Sequence, residues 1–497
     1  MTINTAIKRA AGALTAAILV ILMAGCGATG DIPVTTSSEE ARELLLEGLH
    51  TQENIRRDEA RELYSQALKK DPEFALAHMY RAWVSTSAQD RQDHIKRAMA
   101  LAPKVSEGER LMIEANHALW LENNPDKALD LRKRLVRRHP NDKRAHLILG
   151  FSYDGRDQFD EAITEYEKAI DIDQDFAPAY NSLGYAYILK GEYDRAEEAF
   201  QDYIRLIPEE ANPYDSMADL YTRMGRHDEA IEHYQKAVEL NPQFAISQRK
   251  IGLNLVYMGR YAEGRAAYDQ ALEMETTPRD KVVNREMTAF SYLNEGNYQQ
   301  ALAELDRCVE MAAEADLPFR LALVHTGACR IHIKMGNLDQ AEQSLAACRR
   351  VVQEADLSPS QKDRFARGAL HLEAFMAAKR NDFEGAMARA EEHKAKIAAG
   401  DNPMDMEDHH RLLGLIYLEK GEHATAIEHL GQDDQQDPYT FYLLAEAESG
   451  SGNEARAAEL FSQVARWNEI ASQSFDNLHR ALGYALARPA ALAALED

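Results

Sequence analysis

Three consecutive stretches decide how this chain is read: KRAHLILGFSYDGRDQFDEAITEYEKAIDIDQDF at 143–176, APAYNSLGYAYILKGEYDRAEEAFQDYIRLIPEE at 177–210 and ANPYDSMADLYTRMGRHDEAIEHYQKAVELNPQF at 211–244. Each is 34 residues long, and they abut without a gap. In one register the eighth position holds Gly150, Gly184 and Ala218, and the eleventh Tyr153, Tyr187 and Tyr221. The twentieth holds Ala162, Ala196 and Ala230, and the twenty-fourth Tyr166, Phe200 and Tyr234. The thirty-second holds Gln174, Pro208 and Pro242. In the middle stretch Tyr180, Leu183, Gly184 and Tyr187 recur at the spacing of one helical face, which predicts an amphipathic helix over 179–190. Gly191 ends it, because glycine adopts the left-handed C-cap conformation without a steric penalty. A second helix over 194–206 turns Ala196, Phe200 and Tyr203 inward, and Pro208 stops it. Gly184 and Ala196 let the two backbones approach, and the aromatic rings fill the space beside them.

One such hairpin cannot bury its apolar face alone, whereas a stack of them can. The expected fold is therefore all-α, a solenoid of helical hairpins. The pattern of small, aromatic and proline positions resembles the tetratricopeptide repeat. That resemblance implies a superhelix whose groove binds a peptide or protein partner. It implies no cofactor and no catalytic residue. No G-x-S-x-G, H-E-x-x-H or P-loop stands beside the repeats, so an enzyme is not expected.

The 34-residue register runs back to blocks at Glu109, Ala75 and Ala41, and forward to Ala245. Gly48, Ala60 and Tyr64 mark the first of these, Gly252 and Tyr268 the last, and the block at Ala75 is degenerate. After Thr277 two blocks of 40 residues share Gly296 with Gly336, Ala301 with Ala341 and Cys308 with Cys348. Their second helices are expected to be about two turns longer. Weaker blocks near Arg367, Glu407 and Pro438 bring the count to twelve. Gly191, Gly225, Gly259, Gly296, Gly336, Gly421 and Gly452, with Asn123 and Asn381, are expected to end the first helices. The organisation read from this is a 34-residue array over 41–278, longer irregular repeats over 279–468, and a capping helix and tail over 469–497.

Lys8 and Arg9 precede an uncharged apolar run from Ala10 to Met23, too short for a membrane span but suited to the core of a secretory signal. Met23-Ala24-Gly25-Cys26 follows and resembles the lipobox of bacterial lipoproteins, with Met where Leu is usual. The resemblance implies a signal peptide over 1–25 and a lipid on Cys26. Residues 26–40, rich in Gly, Thr and Ser, read as a flexible tether. No Asp follows Cys26, which in such families points to the periplasmic side of the outer membrane. The chain carries 57 basic and 82 acidic residues, a net charge of −25. Loss of residues 1–25 removes Lys8 and Arg9 and no acid, leaving −27. A nucleic-acid partner is not expected of so acidic a chain.

His325, Cys329 and His332 share one helical face at metal-ligand spacing, but they occupy positions that the repeat buries, so core packing is the preferred reading and no metal is assigned. Cys308, Cys329 and Cys348 are expected to be buried free thiols. Asp408-His409-His410 reads as a solvated helix start, and Asp433-Asp434 as a charged turn.

In the resembled family the first helices line the groove near the second, fifth, ninth and twelfth positions. Here that implies a partner surface of Phe151, Asn181, Tyr185, Asp215, Asp219, Arg249 and Leu253. The family's Lys/Asn/Arg clamp for a terminal carboxylate is missing, so an extended apolar and basic segment is expected instead. The function expected is a lipid-anchored periplasmic scaffold, serving envelope complex assembly among other possible tasks. The alternative from another class is a metal-binding or enzymatic protein using the irregular C-terminal half.

Overall fold

A computed structural model describes residues 32–54, 56–85, 87–399, 405–434, 437–467 and 487–494. The signal peptide, Cys26 and the capping helix expected over 469–486 lie outside these residues. Regular structure among the described residues is helical, and the helices pair in chain order. The first six hairpins are Glu39–Glu53 with Arg57–Lys70, Ala75–Trp83 with Ala88–Leu101, Glu107–Trp120 with Pro125–Arg138, Lys143–Asp154 with Phe159–Ile172, Ala177–Lys190 with Tyr193–Leu206, and Ala211–Arg223 with His227–Leu240. The next six are Ala245–Tyr257 with Tyr261–Met274, Pro278–Asn294 with Tyr298–Glu314, Pro318–Lys334 with Leu338–Glu354, Pro359–Lys379 with Phe383–Ala398, Asp405–Lys420 with His423–Leu430, and Pro438–Gly450 with Glu454–Arg466. The fold is a solenoid of helical hairpins. No helix of the described residues is long and apolar enough to cross a membrane.

The chain forms two compact units, Met1–Met217 and Ala218–Asp497, and the division falls inside the helix Ala211–Arg223. The core of the first unit includes Leu45, Tyr64, Phe74, Met79, Ile95, Leu111 and Ile113. A core of the second is built on Val282, Leu293, Leu305, Leu323 and Ile331.

Among the described residues, a left-handed residue follows ten of the twelve first helices. Seven glycines, from Gly191 (φ 75°) to Gly452 (φ 87°), and the two asparagines Asn123 (φ 49°) and Asn381 (φ 62°) are left-handed, at every position expected from the sequence. Asp157 (φ 57°) does the same work after Lys143–Asp154, where no glycine or asparagine announced it. From Pro278 to Glu354 the helices lengthen to 17 residues each. The six extra residues of the 40-residue period are shared between both helices, about one turn apiece at ~3.6 residues per turn, rather than two turns in the second helix alone.

Aromatic residues of the second helices pack against the eighth position of the regular hairpins, and three of them hold a second point through a hydroxyl. A Cβ on Gly48, Gly150, Gly184 or Gly252 would fall inside 3.0 Å of the ring of Tyr64, Tyr166, Phe200 or Tyr268 respectively. The tyrosine hydroxyls then reach the twelfth position of the same block. Tyr64 donates to Gln52 Oε1 at 3.0 Å, Tyr166 donates to Asp154, and Tyr234 lies 3.2 Å from the Thr222 hydroxyl. Phe200 has no hydroxyl, and its twelfth position is the apolar Ile188. Tyr268, whose twelfth position is Val256, makes no such bond among the described residues.

The segment expected to be a tether is held from Ile32 onward. Its donors reach three carboxylates spaced about one repeat apart. Asp71 Oδ2 accepts from Thr36 Oγ1 at 2.7 Å and Ser37 N at 2.9 Å. Glu109 accepts from Thr35 N at 2.7 Å and Thr35 Oγ1 at 2.5 Å. Asp142 Oδ2 accepts from Ile32 N at 2.7 Å. Each carboxylate also serves its own hairpin: Asp71 Oδ1 accepts Glu73 N, Glu109 accepts Ser106 N in a capping box, and Asp142 Oδ1 caps Ala145 N. Residues 32–37 therefore run backwards along the first four hairpins as an extended strap.

Candidate functional site

The seven residues expected to line the partner surface separate into different environments. In the first unit Phe151 is 40% exposed, its ring edge-on to Tyr166 at 6.0 Å. Asn181 and Tyr185 are half-buried and joined through Ser216, whose hydroxyl donates to Asn181 Oδ1 at 2.8 Å. Tyr185 donates to the same hydroxyl at 3.4 Å. Asp215 is only 3% exposed.

In the second unit three of the expected residues are structural. Asp219 is 3% exposed, accepts from the Tyr234 hydroxyl at 2.6 Å and pairs with the buried Lys250 ammonium at 2.8 Å. Arg249 is buried against Glu275 at 2.9 Å, and Leu253 belongs to the core. Asp219 and Leu253 therefore pack against the next hairpin, and Arg249 against the end of its own. The sequence carried no sign that Lys250, one block further on, would reach Asp219.

The second unit instead holds a cavity of about 330 Å³ lined mainly by four consecutive first helices. Ile333, Leu372, Phe375, Leu415 and Leu443 form its apolar floor. Arg330, Lys334, Lys379, Glu419 and Glu446 give it charge. Lys379 pairs with Glu419 at 2.6 Å and lies over the Phe375 ring at 5.4 Å. Lys334 lies over the Tyr442 ring at 5.3 Å, and the surrounding walls strip water from its ammonium and lower its pKa. Burial likewise lowers the pKa of Arg330, whose Nε has no hydrogen-bond partner among the described residues. Such a concave site, with apolar and polar groups in about equal measure, suits a bound segment. Its signal was present in the sequence. Arg330, Phe375, Leu415 and Glu446 are each the ninth residue of the blocks at Ala322, Arg367, Glu407 and Pro438, whereas the partner surface expected from the sequence lies on the central blocks only.

The histidines also depart from expectation. Cys329 is fully buried, while His325 and His332 are half-buried and open on a surface groove beside Asp306, so the three do not converge. Cys308, Cys329 and Cys348 are buried free thiols, and burial pushes Cys329 up to about 12. His409, expected at a solvated helix start, is 2% exposed. Asp433, expected in an exposed turn, is 3% exposed and accepts from Arg411 at 2.8 Å and Thr440 at 2.5 Å.

Models of the tetratricopeptide repeat match residues 45–93, 156–191, 177–210, 216–244 and 249–281. No curated protein matches the chain. Among solved structures, a MamA protein is 29% identical over 34% of this chain and 92% of its own, with a TM-score of 0.30. A tetratricopeptide repeat protein from Parabacteroides merdae is 18% identical over 50% of this chain and 98% of its own, with a TM-score of 0.35. YrrB, described as having an unusual peptide-binding site, is 19% identical over 36% and 91%, with a TM-score of 0.28.

Proposed function

We propose that this chain, built of tetratricopeptide repeats, is a lipid-anchored scaffold on the periplasmic side of a bacterial envelope, where it holds an extended segment of a partner protein during envelope complex assembly. The binding reading rests on one observation, the cavity floored by Phe375, Leu372, Leu415 and Leu443 between four first helices. An extended segment offers alternate apolar side chains to that floor. It also offers backbone carbonyl or carboxylate oxygens to the cationic Arg330 and Lys334 side chains that line the cavity. Lys379 and Glu419 already neutralise each other, so the segment need carry no matching charge there. The envelope reading rests on Lys8, Arg9, the apolar run after them and Met23-Ala24-Gly25-Cys26.

A photocrosslinker placed at position 375 or 151 of the full-length chain, activated in membranes, tests the binding surface. Capture of a discrete partner at 375 is expected. Capture at 151 with none at 375 moves the site to the first unit, and capture at neither removes the scaffold reading. Cys26→Ser tests the anchor separately. It should accumulate as unprocessed precursor, and normal processing and fractionation of that variant would refute lipidation.

A further inference from the structure

A second feature of the C-terminal hairpins, which shares His371 and Arg330 with the cavity lining but rests on its own geometry, concerns metal chemistry. His371 on the helix Pro359–Lys379, His393 on Phe383–Ala398 and Asp408 on Asp405–Lys420 bring one ligand atom each to within 4.8 Å of one another. We infer that His371, His393 and Asp408 form a binding site for a transition-metal ion of the zinc class.

The contact distances favour an ion over hydrogen bonds. His371 Nδ1 and His393 Nε2 each stand 3.4 Å from Asp408 Oδ2. A good N–H···O bond is ~2.7–3.2 Å long, so neither contact is closed as one. Ligands bonded to a tetrahedral zinc at ~2.0–2.2 Å lie about 3.3–3.6 Å apart along the edges. Both observed separations fall on that edge length.

Burial makes the same point from the side of the imidazoles. His371 is 2% and His393 0% exposed. His371 Nδ1 and both ring nitrogens of His393 lack a hydrogen-bond partner among the described residues. Buried polar atoms are ordinarily satisfied, and leaving them unmet is costly. An ion bonded to His371 Nδ1 and His393 Nε2 would satisfy two of these three nitrogens. The Asp408 side chain, 45% exposed, leaves a route for the ion to enter.

The donor set chooses the class of ion. Two imidazoles and one carboxylate suit zinc and its neighbours, whereas calcium and magnesium want oxygen ligands throughout. Arg411, the nearby cation on the same helix as Asp408, is held by Asp433 at 2.8 Å and Asp437 at 3.0 Å. Arg330 faces Asp408 from the helix Pro318–Lys334 and competes with the ion for that carboxylate. Three protein ligands leave a fourth position for water, the arrangement of an open rather than a closed zinc site. Sequence spacing could not reveal this set, because its members come from three helices at irregular separations.

The test is titration of the purified full-length chain, stripped with chelator, with zinc chloride in competition with a chromophoric chelator. One zinc per chain is expected in the wild type, with a rise in melting temperature. Asp408→Asn is nearly isosteric at a half-exposed position and should keep the wild-type circular dichroism. It should bind zinc on the order of tenfold more weakly or worse. His393→Gln should lose the site, while the double variant His325→Gln, His332→Gln should bind as the wild type does. Absence of stoichiometric zinc binding in the wild type, or equal binding by wild type and Asp408→Asn, overturns the inference.

Discussion

Gly184 lies against the ring of Phe200 so closely that a single added methyl would come within 3.0 Å of three ring atoms. Phe200 is fully buried and cannot swing into solvent, so the helices Ala177–Lys190 and Tyr193–Leu206 must separate to admit the methyl. Gly184→Ala gains the helix propensity of alanine, worth at most ~1 kcal/mol, but overpacks the site at ~1–3 kcal/mol. The net expectation is destabilisation, read as a lower thermal or urea midpoint. A midpoint equal to wild type would show that this hairpin is not locked by the glycine–aromatic contact.

The second half of the lock gives a paired test. Tyr64, Tyr166 and Tyr234 each meet a polar twelfth-position residue, whereas Phe200 is matched with Ile188. Phe200→Tyr should therefore bury an unmet hydroxyl and cost ~1–3 kcal/mol. Adding Ile188→Gln recreates the Tyr64–Gln52 pairing and should recover part of that loss. Denaturant melts of the two single variants and the double variant measure the coupling. Strict additivity would mean the hydroxyl finds another partner.

Asp219 behaves as a structural residue, which reverses the expectation for a partner surface. Its carboxylate holds the Lys250 ammonium, and both side chains are under 5% exposed. Asp219→Ala leaves Lys250 buried without this partner, at a cost on the order of 3 kcal/mol. Lys250→Met combined with Asp219→Asn removes both charges and should be milder. If Asp219→Ala melts like the wild type, the ion pair is not formed in solution.

The helix ends were legible because one backbone requirement selects one kind of residue: seven glycines and two asparagines named in advance are all left-handed. The glycine–aromatic contact was legible because it repeats in phase. Pairings that leave the block were not. Asp219 with Lys250, and His371 with His393 and Asp408, join residues whose separation depends on how hairpins stack. The cavity around Phe375 stands at the ninth positions of the irregular blocks, yet Gly414 and Ala426 are the main repeat markers there, too few to single it out without the structure. The strap was hidden for a different reason. A Thr- and Ser-rich segment looks flexible by composition, and only the stacked hairpins bring Asp71, Glu109 and Asp142 into line beneath it.

That strap has a pH dependence whose sign can be worked out. Burial raises the Asp71 pKa, but the bonds from Thr36, Ser37 and Glu73 outweigh it and hold the group below 3.8. A carboxyl whose folded pKa is depressed contributes stability above its unfolded pKa and loses it as pH falls through the folded value. The strap should accordingly stay docked through neutral and mildly acid pH and loosen only below about 3.8. Asp71→Asn should loosen it at neutral pH, because an amide is a weaker acceptor for Thr36 Oγ1, Ser37 N and Ser37 Oγ, which all donate to Oδ2. Hydrogen exchange at the amide of Ser37 reads the effect directly, and the amide of Thr35, bonded to Glu109, reads whether the loosening spreads. The Ser37 amide should be protected in the wild type at pH 7 and exchange faster in Asp71→Asn, with the amides of Leu111 to Ala115 unchanged as an internal control. Equal exchange in the two proteins would mean that Asp71 does not hold the strap, and faster exchange throughout the first unit would mean that the substitution acts on the hairpins instead.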